Sequence, residues 1–284
     1  MTTVLLDGIA YGMILFLMAV GLSVTMGLMN LVNLAHGAFA MLGGYVTVVS
    51  IERFGISYFL CLPLAFLVAA IFGLVLERLL YRRIYERDHL DQVTFTIGLV
   101  FMAIASADWL MGAQQRLVEL PELLRMRIPI LDTSLSLYRL LVIGVCAVLA
   151  LALQLLLVRT RLGMQLRAAV DDRRVARGLG IPVPRIFAAV FAFGCGLAGL
   201  AGALGIEVLG LDPSFPLRWI VYFLLVVAVG GTGTVSGPFF ASLLLGIADV
   251  AIRYWLPELG AFAIYAVMVV VLVLRPHGLF ARAG

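Results

Sequence analysis

The sequence contains no lysine; all 20 of its basic residues are arginine. That absence excludes a Walker A lysine, a Schiff-base lysine and a lysine general base. The chain therefore has no P-loop of its own with which to bind and hydrolyse ATP. Charge of either sign is scarce: Asp, Glu, Lys and Arg make up 13% of the residues, against about 25% in ordinary soluble domains. So little charge excludes a cytosolic enzyme, a disordered regulator and a disulfide-stapled secreted domain. Cysteine is rare as well. Cys61, Cys146 and Cys195 lie far apart, each inside an apolar run, and read as small buried hydrophobes rather than as a disulfide or a metal site.

What the chain has instead is apolar residues, 63% of 284, with a mean hydropathy of +1.13. A membrane-spanning helix takes about 20 residues, so the length accommodates roughly eight or nine crossings. The expected fold is an all-α polytopic membrane protein, one transmembrane domain over residues 1–284. Apolar runs fall at about 4–29, 37–50, 58–77, 93–112, 138–158, 186–208, 217–230, 238–252 and 261–275. The opening MTTVLLDGIAYG lacks the basic n-region of a cleaved signal peptide and reads as a retained first helix.

The arginines cluster in loops 78–92 and 159–185 and in the tail with Arg275 and Arg282, which places all three on the cytoplasmic side. Loop 113–137 balances its arginines with Glu119, Glu122 and Asp132 and faces outward. The N-terminus is then outside and the C-terminus cytoplasmic. A pI near 9.2 follows from this topology and needs no nucleic-acid partner.

Runs 37–50 and 217–230 are short for a bilayer of about 30 Å. The first lies in MNLVNLAHGAFAMLGGY (29–45), and the second adjoins VGGTGTVSGPFF (229–240). Irregular backbone at membrane depth needs protein or a water-filled cavity to satisfy it, and such breaks often mark a transport pathway. The alternative is that the glycines serve close helix packing, or that one break is a surface loop. His36 is open in the same way, to a structural hydrogen bond or to substrate or proton binding. The Gly/Ala run 192–205 suits helices packing closely in lipid. Asp108, Glu207 and Asp249 sit near the outer ends of their runs, with Asp249 either an intramembrane functional charge or an interfacial one.

Loop 159–185, RTRLGMQLRAAVDDRRVARGLGIPVPR, repeats Leu162, Leu166 and Ala169, then Val175 and Leu179, at helical spacing. Asp171 or Asp172 can N-cap a second short helix, Gly180 suits a left-handed cap, and Pro182 and Pro184 stop continuation. Two short cytoplasmic helices are expected. They either dock a partner or lie on anionic lipid.

The chain resembles permease subunits of the LivH type, from ABC importers of branched-chain amino acids and related small solutes. NLAHGAFAMLGGY (33–45), LERLLYRRI (76–84), LGMQLRAAVDDRRVARGLGIPVPR (162–185), AVGGTGTVSGPFFASLLLGIAD (228–249) and LRPHGLF (274–280) carry the resemblance in the family's order. It implies a translocation pathway at Asn33, His36, Gly37, Gly43 and Gly44 in the early segment and at Gly231, Gly233 and Gly237 in the late one. It also implies docking of an ATPase through Arg167, Asp171, Asp172, Gly180 and Ile181. The implied partners are a second, paralogous LivM-like permease, two ATPase subunits that bind ATP and Mg, and a periplasmic solute-binding protein, in a bacterial inner membrane. One departure is Ala38, where the family often carries an acid after His-Gly; this bears on the choice of substrate.

The competing function is a self-sufficient channel or secondary transporter, which usually needs an acidic or histidine relay through the bilayer centre; the sequence shows none. An intramembrane enzyme would need a Ser/His, paired-Asp or HExxH constellation within the apolar runs, and none is present.

Overall fold

A computed structural model describes residues 1–274 apart from 30, 32, 86, 131 and 132. The tail arginines Arg275 and Arg282, Asp132, and all but the first residue of LRPHGLF lie outside the described residues. Each expected apolar run is one helix: α1 Thr2–Met29, α2 His36–Phe54, α3 Tyr58–Leu79, α4 His89–Met111, α6 Leu137–Arg159, α9 Val183–Leu209, α10 Phe215–Gly230, α11 Ser236–Trp255 and α12 Gly260–Leu274. Short elements join them: α5 Glu122–Arg125, an antiparallel hairpin of β1 Arg127–Ile130 and β2 Thr133–Ser136, α7 Arg161–Asp171 and α8 Arg173–Gly178. The protein is a polytopic helical membrane protein, with the hairpin as a small addition to the all-α expectation.

Six of the described helices are long and apolar enough to cross a bilayer: α1, α3, α4, α6, α9 and α11. α10 has 16 residues and falls short; α12 has 15 among the described residues. α2 has the length, but His36, three glycines, Thr47, Ser50 and the Glu52–Arg53 pair dilute its apolar character. The sequence placed a break across 29–45. The helix in fact starts at His36, so Gly37, Gly43 and Gly44 are helical. Asn33 accounts for the start, because its Oδ1 accepts from the Ala35 N–H (3.1 Å) in an Asx turn that opens α2.

Burial sorts the helices into two classes. In the apolar window of α1 89% of residues are buried and in that of α9 83%, against 17–28% in α3, α4 and α6. α1 and α9 thus form the centre, and the others turn Phe59, Leu60, Ile71, Phe101, Met102 and Leu151 outward. Lipid tails are as apolar as leucine, so the outward faces cost nothing, and close packing must hold the centre together.

The 192–205 run does that. Gly194 faces Gly21 of α1, Gly196 faces the Phe66 ring of α3, and Gly202 faces Ala40 of α2. A Cβ on Gly202 would sit 1.9 Å from the Ala40 carbonyl oxygen, and one on Gly43 would sit 2.1 Å from that of Gly199. Backbone meets backbone at this crossing, so no side-chain rotation can relieve a larger residue. Aromatic edges fill the flanks, with Phe39 against Phe191 at 6.1 Å and Tyr81 against Phe191 at 4.6 Å.

Gly43→Val and Gly202→Val should each destabilise the protein by about 1–3 kcal/mol or more through overpacking. Gly98 and Gly144 have open space around them, so alanine there should be neutral. Thermal denaturation in detergent, followed by monodispersity, checks both outcomes.

Candidate translocation and docking sites

Both breaks converge on one stretch of α1. The His36 ring lies against Gly21, where a Cβ would come within 2.9 Å of its Cε1. Gly21 is eight residues before the end of α1 at Met29, about 12 Å along the helix. The chain therefore turns back after Met29 and starts α2 alongside the body of α1. Around this return, Tyr81 donates to Asn33 Oδ1 (2.9 Å) and the Leu34 N–H donates to Thr96 Oγ1 (3.3 Å). His36 is 1% exposed. The carbonyl of Met18 faces its ring, yet neither ring nitrogen reaches hydrogen-bond geometry with a partner among the described residues.

The second break, 231–235, rests on the same helix. The Gly233 N–H donates to the Ser23 carbonyl (3.1 Å), and Ser23 Oγ donates towards the carbonyls of Gly231 (3.3 Å) and Thr234 (3.4 Å). Gly231 and Gly233 adopt φ of 85° and 79°. Gly27 of α1 lies so close that its Cβ would be 2.0 Å from the Gly233 nitrogen. Gly237 is in the first turn of α11, where a Cβ would meet the Gly230 carbonyl at 2.1 Å. The structure thus brings His36, Gly231 and Gly233 around residues 21–27 of α1, while Asn33 is held by Tyr81. Gly37, Gly43 and Gly44 instead face Pro216, Gly199 and Leu211.

The loop 159–185 folds as the two expected short helices. Thr160 caps α7 by accepting from the Gly163 N–H (3.2 Å). Asp172, rather than Asp171, caps α8, accepting from the N–H groups of Arg174 (2.7 Å) and Val175 (2.9 Å). Gly180 has φ of 79°, and its N–H donates to Arg177 while that of Ile181 donates to Ala176, which is a Schellman ending. Arg167 turns back to donate to the Leu157 carbonyl near the end of α6. Four of the five residues named for docking therefore have structural tasks within this chain, and Asp171 is exposed.

Leu166, Ala169 and Ala176 face inward at 3% exposure or less, leaving Met164, Val175 and Leu179 outward, at 55–74%. Sequence reasoning had the spacing but could not tell which apolar positions turn out. Arg173 was not singled out at all. Its Nη2 donates to the Met29 carbonyl (2.9 Å), and its guanidinium lies 4.9 Å from the centre of the Phe187 ring. A cation at the C-terminal end of a helix is favoured by the helix dipole. Through this contact α8 holds the end of α1 at the point where the first break begins. Beside it, Glu77 is buried and accepts from the Tyr85 hydroxyl (3.0 Å); burial and the adjoining carboxylate push that phenol well above its ordinary range.

Charge pairs lie at the opposite end of the bundle. Asp249 is buried, 2% exposed, and pairs at 2.8 Å with Arg253 near the end of α11. Asp7 pairs with Arg139, a contact across 132 residues. Asp108 and Glu207 are exposed at their helix ends. Among the described residues no group of three His, Cys, Asp or Glu side chains could hold a metal ion, and the three cysteines are buried free thiols.

The architecture is that of a helical membrane protein, with a central helix, two interrupted segments and paired short helices at one end. Residues 4–272 match the family described as "Branched-chain amino acid transport system / permease component", and the chain belongs to that family. It is 28% identical to the probable branched-chain amino acid transport permease protein LivH of Methanocaldococcus jannaschii, over 97% of this chain and 91% of that one. It is 25% identical to the high-affinity branched-chain amino acid transport system permease protein BraD of Pseudomonas aeruginosa, over 98% and 95%. It is also 26% identical to the Escherichia coli permease named LivM, over 94% of this chain and 68% of that one. These relatives are transport permeases. No solved structure matches.

The Asn33–Tyr81 contact makes a quantitative prediction. Asn33→Ala leaves the Tyr81 hydroxyl buried without its partner and should cost about 1–3 kcal/mol, whereas Tyr81→Phe leaves Asn33 Oδ1 on the Ala35 N–H and should cost about 1 kcal/mol. The double variant should be little worse than Asn33→Ala alone. Unfolding midpoints of the three variants test this.

Proposed function

We propose that this chain is the permease subunit of an ABC importer for branched-chain amino acids or a closely related small solute. Loops 78–92 and 159–185 and the C-terminus face the cytoplasm, and the N-terminus faces outside, in a bacterial inner membrane. A paralogous LivM-like permease completes the pathway, two ATPase subunits bind ATP and Mg below it, and a periplasmic solute-binding protein delivers substrate from above. The match to both LivH- and LivM-named proteins supports a paired arrangement of related permeases.

The observation that carries the reading is the α7–α8 pair: capped at both ends, tied to α1 through Arg173, and presenting Met164, Val175 and Leu179 to solvent. An amphipathic pair with its apolar side chains outward is a surface for a partner. In this reading the ATPase seats on these side chains, and its closure moves α8, the end of α1 and the adjoining break together. The pathway is lined from the breaks, at Asn33, His36, Gly231 and Gly233. The permease contributes positioning and a two-state element and performs no chemistry.

Val175→Glu with Leu179→Glu should leave membrane insertion and the fold intact while abolishing recovery of the ATPase with the tagged chain from its native membrane. Wild-type recovery of an ATPase pair and a second permease supports the importer; recovery of the chain alone, active in vesicles without nucleotide, overturns it. Charge reversal at Arg167 and Asp172 is the poorer test, because both residues hold α7 and α8 together.

A further inference from the structure

α3 and α9 meet tightly at Gly73 and Gly199, where a Cβ would come within 2.7 Å of the Cys195 side chain and 2.4 Å of the Ala69 Cβ. Nearer to α8 they part. A cavity of about 500 Å³ opens there between the last turns of α3, Arg82 and the first turns of α9. Its body is apolar, walled by Leu74, Ala188, Ala189 and Ala192. Both helices are long and apolar enough to cross a bilayer. α3 turns Ile71, Val75 and Leu79 outward on the strip next to Leu74 and Arg78, since residues three and four apart are neighbours on a helix. The cavity is therefore a crevice on the lipid-facing side of the bundle.

Its mouth is cationic. Arg78, Arg82 and Arg185 line it, all exposed, and none is paired with a carboxylate among the described residues. Beyond Arg82 and Pro184 a second cavity of about 200 Å³ adds Arg173 and Arg177. Against these five arginines stands a single described carboxylate, Glu77, on the wall between the two cavities. Glu77 is 2% exposed and already accepts from the Tyr85 hydroxyl. Positive-inside topology asks for arginines in the loops, but it does not ask them to converge on the mouth of an apolar crevice.

A crevice within the membrane span that ends in arginines is the complement of an amphiphile with an anionic head. An acidic segment of a soluble partner reaches the arginines but not the apolar wall along α3 and α9. A guanidinium forks onto phosphate through paired N–H donors, and basic pockets between membrane helices suit phosphate headgroups. We propose that this crevice is a binding site for an anionic phospholipid. Its phosphate meets Arg78, Arg82 and Arg185, and one acyl chain lies along Leu74, Ala189 and Ala192. The lipid braces the end of α3 against the start of α9, beside the Arg173 contact that holds α1. Its assignment to the cytoplasmic leaflet rests on the orientation proposed above; the binding itself does not.

The test uses the full-length chain, stripped of lipid in detergent and titrated in native mass spectrometry. The ligands are dioleoyl phosphatidylglycerol, phosphatidylcholine with the same chains, and glycerol phosphate. Phosphatidylglycerol should give a saturable adduct at least about tenfold tighter than phosphatidylcholine. Glycerol phosphate, a head without tails, should give none. Arg82→Gln with Arg185→Gln should erase the preference. Arg87→Gln with Arg174→Gln removes the same charge from exposed arginines that line neither cavity, and should keep it. Ala189→Phe fills the crevice without changing charge and should weaken phosphatidylglycerol about tenfold. The three-ligand comparison needs no substitution, so it decides the matter even where a variant fails to fold. Equal adducts with the two lipids, or equal losses from the two arginine pairs, overturn the site. Glycerol phosphate binding as tightly as the lipid overturns it in favour of a soluble anion. If the Arg82 and Arg185 variant loses its ATPase but keeps the lipid preference, the arginines belong to the partner interface and the site is overturned. Binding is read on the chain alone, so failure of the importer reading leaves the lipid site standing. A chain that recruits its ATPase yet shows no lipid preference loses the site alone.

Discussion

Broken backbone inside a bilayer has no water to turn to, and this fold satisfies it from the neighbouring helices. At the first interruption the Leu34 N–H donates to Thr96 of α4 and the Ala35 N–H to Asn33, while at the second residues 23–27 of α1 supply the contacts. Ser23 is the pivot, because its carbonyl accepts from Gly233 while its hydroxyl serves the carbonyls of Gly231 and Thr234. Gly21 and Gly27 lack side chains where His36 and Gly233 approach. Once α1 must face both breaks it has no face left for lipid, and its near-complete burial follows. The glycines of α9 follow in turn, since the helices around a buried rod can close only by bringing backbones together.

The same geometry links the two ends of the proposed mechanism. α8 reaches the last carbonyls of α1 through Arg173, and the first break leaves α1 at that point. A displacement of α8 is therefore passed to a rigid helix of 28 residues rather than dissipated in a loop. Interfaces packed backbone to backbone do not deform gradually; they hold or they shift. A permease driven by a partner's closure needs that property.

Much of this was legible from the residues. The nine apolar runs became nine helices, and the short 217–230 run became a helix too short to span. Pro182, Gly180 and Asp172 marked the ends of the short helices α7 and α8, because caps and turns are local chemistry. What the residues left open was decided by contact at long range. The glycines of 29–45 suited either a break or close packing, and for Gly43 and Gly44 their partners on α9 and beyond make it a close crossing within a helix. Arg167 donates to a carbonyl ten residues earlier, a contact that spacing alone does not reveal. The pairing of Asp7 with Arg139 left no trace in spacing. The outward set of Met164, Val175 and Leu179 was hidden because a helical repeat tells which residues share a face, and not which face is covered.

The central place of α1 also orders the molecule in time. It precedes the other described helices, but α11, which packs along it at Gly8 and Gly12, begins at Ser236. At about 5–20 residues per second, α1 waits roughly 10–40 s for that neighbour. Its Asp7 waits for Arg139, and Ser23 waits for the second break. Thr25 does not wait, since its hydroxyl donates to the Gly21 and Leu22 carbonyls of its own helix. The nascent permease thus completes its axis in stages, with α6 and α9 packing on α1 before α11 and the second break close over Gly8, Gly12 and Ser23.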